Sequence, residues 1–203
     1  MEQRNPRLGM RGISAIEAAI LFGFMAATYL LASYLVWLLS YQAFQQEAAT
    51  TAQLMARYVA SQIADLASSS LTPGVKSISY KLFLPTQFPN FDAYSYSMAL
   101  INNSTRPGVV SLYVLLNLTA YRGSFTASVY RVSAFAYSIN ASFAGRRIYA
   151  TNFDRVLGGP SCLVPSPVVP GQYAVNLTSS GCGALWYAPT PANYKLLTIT
   201  ASK

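Results

Sequence analysis

The sequence predicts an α+β chain: one long N-terminal hydrophobic α-helix followed by an all-β, sandwich-like globular domain. Three observations predict it. Between Ile13 and Leu39 the only charged side chain is Glu17, and about 20 apolar residues at ~1.5 Å each already cross a ~30 Å hydrocarbon core. From Phe24 to Thr72 there is neither Gly nor Pro, so nothing in the backbone ends a helix before Pro73-Gly74. Beyond that break the periodicity falls to two, in short runs rich in Val, Ile, Tyr, Phe and Thr.

With 203 residues, of which 53% are hydrophobic and 10% charged, the chain has room for one helix and one domain. A charged share so far below the usual ~25% disfavours a soluble monomer and, with 15 Tyr, fits a surface covered by neighbours, sugars or lipid. The formal charge is +8. Its cations are scattered, however, with only Arg146 and Arg147 adjacent, whereas nucleic-acid binding wants basic residues clustered beside stacking aromatics. Solvated surface charge is the expectation, and nucleic acid is not an expected partner.

Residues Met1 to Gly12 carry Arg4, Arg7 and Arg11 immediately before the apolar run. The positive-inside rule keeps that leader cytoplasmic and sends everything after Leu39 outside. No small-residue cleavage site follows the run, as a secretory signal would require. Glu17 is costly inside a bilayer, roughly 2.5–3.5 kcal/mol at its centre and less near an interface, so an intramembrane acid is a functional hypothesis by default.

Arg11-Gly12-Ile13-Ser14-Ala15-Ile16-Glu17 and the apolar helix after it resemble a prepilin with a class III signal sequence, as found in the type IV pilin superfamily. The Ile-Ser start and short leader resemble archaeal pilins more than the bacterial ones that begin with phenylalanine. The resemblance covers about 30 N-terminal residues. It implies that a prepilin peptidase cuts between Gly12 and Ile13, and that Glu17 neutralises the new α-amine of a neighbouring subunit. It further implies an assembly ATPase and a polytopic membrane platform protein as partners. Electrostatics agrees: an amine and a carboxylate in an apolar setting are each costly alone and tolerable as a pair. An uncleaved signal anchor with Glu17 near the headgroups is the plainer alternative.

The expected domains are a leader at 1–12, a helix at 13–68, a linker at 69–75 and an extracellular β domain at 76–203. Past the first half, the helix carries Gln42, Gln45, Gln46, Glu47, Gln53, Arg57, Gln62 and Asp65 among apolar residues, an amphipathic pattern that wants a partner surface. Tyr34, Trp37 and Tyr41 suit an interfacial aromatic belt. Small residues recur at every fourth position, as Ala15, Ala19, Gly23 and Ala27, then as Ala48, Ala52, Ala56, Ala60 and Ala64. Such ridges let helices approach closely, although alanine is also simply a good helix former. Together the two ladders favour a core of many helices.

In the β domain seven or eight strands are expected: Lys76–Leu84, Ala93–Ile101, Val109–Thr119, Tyr121–Arg131, Val132–Asn140, Arg147–Thr151, Tyr173–Thr178 and Tyr194–Thr200. Gly158 to Pro170 reads as loop. Cys162 and Cys182 are the only cysteines, and a disulfide is the economical expectation outside the cell, with reduced thiols or a bridge between subunits as alternatives. Asn102, Asn103, Asn117, Asn140 and Asn176 fit Asn-x-Ser/Thr and are candidate glycosylation sites, Asn117 being the weakest because Leu115 and Leu116 precede it.

Catalytic chemistry is not expected. Histidine is absent, which removes His-ligated metals and the usual Ser-His or Cys-His pairs. Asp92 and Asp154 are the only acids after the helix and are expected in turns or ion pairs. No nucleotide-binding glycine motif occurs. No cofactor or metal is expected. The sequence therefore points to a structural subunit of an extracellular filament, a homo-oligomer of helices with the β domain turned outward for adhesion. The rivals are a minor pilin or pseudopilin, a flagellin-like filament and a monomeric membrane-anchored surface protein.

Overall fold

The structure, a computed structural model, describes residues 15–85, 88–103, 109–140, 145–187 and 196–203, so Gly12 and Ile13 lie outside the described residues. One helix, α1, runs Ala15–Ser70. It ends two residues beyond the expected limit because the Ser68 and Ser70 hydroxyls donate to the carbonyls of Ala64 and Ala67, at 2.8 and 2.7 Å. Leu71 and Thr72 then close tighter turns onto Ser68 and Ser69 before Pro73-Gly74 stops the helix.

The chain divides into two compact units, Met1–Ala43 and Phe44–Lys203. Among the described residues, the second contains the later turns of α1 and ten strands, all antiparallel: β1 Ser77–Leu82, β2 Ala93–Asn102, β3 Val109–Arg122, β4 Phe125–Asn140, β5 Arg147–Thr151, β6 Arg155–Leu157, β7 Leu163–Pro165, β8 Tyr173–Asn176, β9 Gly183–Tyr187 and β10 Leu197–Ser202. They form two five-stranded sheets, ordered β1-β10-β5-β8-β7 and β4-β3-β2-β9-β6. The inward residues of alternating strands, such as Met98, Leu100, Leu116 and Ile199, join Phe44, Ile63 and Leu66 of α1 in one hydrophobic core.

Several strand expectations change. Tyr121–Arg131 and Val132–Asn140 are not separate strands: β3 and β4 form one long hairpin that turns at Gly123-Ser124, with Gly123 at φ +53°. Its two-residue turn has the backbone hand that right-twisted strands require. The predicted break at Arg131 is a bulge inside β4. Val129 pairs Leu118 and Val132 pairs Leu116, leaving two residues opposite Asn117. Arg131 adopts φ +53° there, and its backbone N–H donates to Asn117 Oδ1 at 2.7 Å. The Gly158–Pro170 segment is not all loop, since it holds a one-turn 3-10 helix at Pro160–Cys162 and then β7.

Cys162 and Cys182 are bonded, with Cα atoms 5.5 Å apart, and both are buried. One precedes β7 in the first sheet and the other precedes β9 in the second, so the bridge ties the two sheets. Gly158 makes the approach possible. It sits at φ +121°, and a Cβ there would lie 2.8 Å from Cys162 Sγ and 2.7 Å from the Gly181 carbonyl.

Candidate assembly surface

The two halves of α1 carry the same kinds of residue and meet different surroundings. In Met1–Ala43 no described side chain is buried, although Ile16, Phe22, Phe24, Leu31 and Leu39 are all large and apolar. The helix is long and apolar enough there to cross a membrane, by length and composition. Two of its hydroxyls turn back on the helix: Thr28 Oγ1 donates to the carbonyls of Met25 and Phe24 at 2.9 and 3.0 Å, and Ser40 Oγ to that of Val36 at 2.8 Å, an arrangement tolerated in a dry environment.

Ala15, Ala19, Gly23 and Ala27 lie exposed on this stretch, and a Cβ built on Gly23 would meet nothing within 4 Å. Glu17 is exposed in the first turn, where the helix dipole favours an acid. Tyr34, Trp37 and Tyr41 stack in series, with centroids 6.3 and 5.7 Å apart.

The second alanine ladder requires a correction. Ala48, Ala52 and Ala56 have no exposed surface, Ala60 is buried and Ala64 half-buried. Ala48, Ala52, Ala56 and Ala60 belong to the core formed with this chain's own strands, so they are not available to pack helices of other copies; Ala64 lies outside that core, half-exposed. Small side chains here let the sheet approach the helix. The polar residues Gln45, Gln53, Arg57 and Asp65 occupy the opposite, exposed face, as amphipathicity requires.

Sequence reasoning missed what anchors the helix where burial begins. Glu47 Oε2 accepts from Arg122 Nη2 at 2.7 Å. Arg122 also donates to the Asn90 carbonyl through Nε and Nη2, at 2.8 and 2.6 Å, and Asn90 Nδ2 returns a bond to Glu47 Oε1. The guanidinium lies 5.0 Å over the Phe44 ring, whose own edge contact is Phe91 at 5.9 Å. These residues are distant in sequence, and no local pattern announces them. Further along the helix, an apolar recess of about 200 Å³ is lined by Leu54, Met55, Tyr58, Leu84 and Met98 among others.

The glycosylation candidates separate by burial. Asn102 is 8% exposed and its Nδ2 donates to the Ser179 carbonyl at 2.7 Å. Asn176 is 6% exposed, and its Oδ1 accepts the backbone N–H and hydroxyl of Thr178 at 3.0 and 2.5 Å. Neither presents its side-chain amide at the surface of the folded chain. Asn103 and Asn117 are exposed, and the Asn117 Nδ2 makes only a long 3.4 Å contact to Ser97 Oγ. The Asn140 side chain lies outside the described residues. Asp92 Oδ2 accepts the Gly123 amide at 2.6 Å and Asp154 Oδ2 the Tyr187 amide at 2.9 Å, so both acids fasten backbone.

No family model, curated protein or solved structure matches this chain.

Proposed function

We propose that the chain is the structural subunit, a pilin, of an extracellular type IV-pilus-like filament. The exposed apolar stretch of α1 carries this reading: left in water, such surface costs about 25 cal/mol per Å², and lipid followed by copies of the same helix covers it. The precursor sits in the cytoplasmic membrane. Removal of residues 1–12 by a prepilin peptidase leaves an amine at Ile13, and Glu17 of a neighbouring copy meets it. An ATPase and a platform protein drive extraction, and van der Waals packing between helices holds the product. With the second ladder occupied within its own chain, the filament core is built from residues 13–43, and the β domain faces solvent for adhesion.

The test is N-terminal sequencing of fibres sheared from cells, alongside Glu17→Ala. Fibre subunits should begin at Ile13, and the variant should remain in the membrane while fibres disappear. A chain that keeps its leader and never enters fibres overturns the reading. The stacked Tyr34-Trp37-Tyr41 series also suits a permanent bilayer anchor, so that outcome would establish the monomeric surface protein instead. A minor pilin would give fibres in which this chain is a trace component.

A further inference from the structure

Past Glu47, helix α1 has two charged residues, Arg57 and Asp65. Both are exposed, and Ser61 midway between them is exposed too. A spacing of four residues puts the three in one row on the outward face of the helix, with about 12 Å of rise between the charges. That is too far for an ion pair within the chain, and neither charge joins one among the described residues. Ser61 Oγ already donates to the Tyr58 carbonyl at 2.8 Å, so the middle of the row is small and asks for no partner. Leu54 and Tyr58, 62% and 46% exposed, form the next row of the same face.

We propose that this row is a twofold contact between two copies of the chain, their helices antiparallel and crossing at Ser61. When the two rows lie along each other, a twofold axis at Ser61 sets Arg57 of each copy against Asp65 of the other. One contact then makes two ion pairs. The two serines at the crossing are small, which lets the helix axes come close. The same operation brings Leu54 and Tyr58 of both copies together along one side of the crossing, covering apolar surface. The partner is a second copy because the charge pattern is its own complement: residues 57 and 65 stand equally far from 61 and are opposite in sign. Among the described acids of this domain Asp65 is the available one, since Glu47 is paired to Arg122 while Asp92 and Asp154 hold amides. Neighbours within a fibre of one polarity are never antiparallel, so the contact joins chains of opposite direction and does not depend on the filament reading.

Sedimentation equilibrium of the full chain in detergent, at stepped salt concentrations, measures the pairing. A dimer should form and weaken as salt rises. R57D and D65R should each pair at least about tenfold more weakly at an unchanged melting temperature, because each meets like charge twice across the twofold. Mixed in equal amounts, these two variants should pair with each other nearly as tightly as the parent does, and so should R57D/D65R with itself. S61C chains should join through a disulfide under mild oxidation, whereas S68C, exposed two turns from the crossing, should not. Should a charge reversal disturb the fold, R57Q and D65N carry the same test with losses of several-fold. A chain that stays monomeric overturns the proposal, as does self-association that ignores these substitutions or is not restored in the mixture. Restoration without the S61C cross-link overturns the twofold in favour of a head-to-tail contact.

Discussion

Residues 15–43 and 44–70 of α1 make an instructive pair. Both are helical, both lack proline, and both repeat a small residue every fourth position. In the first stretch that ladder is exposed; in the second, Ala48 to Ala60 are buried in the core shared with strands of the same chain. The difference lies in what stands between the small residues. Phe44, Met55, Val59, Ile63 and Leu66 interleave with the second ladder to form a single apolar face, backed by glutamines and charges. Around the first ladder apolar side chains continue on all sides, so no one face is preferred and a continuous apolar environment is needed. A small-residue repeat thus signals close approach without naming the partner.

Substitution at matched positions should expose this asymmetry. The largest effect is expected from Phe44→Ala, which removes a ring that is 1% exposed together with its Phe91 and Arg122 contacts. Urea unfolding of the domain should lose about 3–5 kcal/mol, while Phe22→Ala, at a site 73% exposed, should leave it unchanged. Next comes Ala56→Leu, which overfills the helix–sheet contact and should cost about 1–3 kcal/mol; Ala19→Leu should cost the domain nothing. Equal effects from the two leucines would erase the distinction between the halves. Glu47→Gln should cost only about 0.5 kcal/mol, because the pair is partly exposed, and the difference from the parent should shrink in high salt.

The smallest effect concerns the aromatic group beside Phe88, where burial pushes the Tyr94 hydroxyl above its usual range. Its ionisation is disfavoured in the folded chain, so the unfolded chain releases that proton first. Stability is therefore intact below about pH 10 and falls as pH rises above it. Tyr94→Phe should flatten that alkaline decline in a melting series.

Local chemistry wrote much of this fold plainly. The absence of Gly and Pro from Phe24 to Thr72 announced the long helix, and two lone cysteines flanking one proline-rich segment announced the bridge. The hairpin was also present as Gly123-Ser124, a turn signal obscured by the strongly strand-forming residues on both sides. β6 and β9 are short, and β9 begins at a glycine, so composition hid them although β9 pairs with β2 near the middle of its sheet. What depends on remote partners was not legible. The Glu47–Arg122 anchor exists only after the β3–β4 hairpin meets the helix, and periodicity carries no register between distant segments.

The bend in β4 has a consequence for crowded conditions. This strand forms one border of its sheet, and sixteen uninterrupted residues would offer another chain a long template of unpaired amides and carbonyls. The extra residue at Arg131 divides that border into shorter lengths and sets a cation beside the kink, both of which discourage a foreign strand from aligning. Chains held at high local density are thereby steered away from sticking border to border.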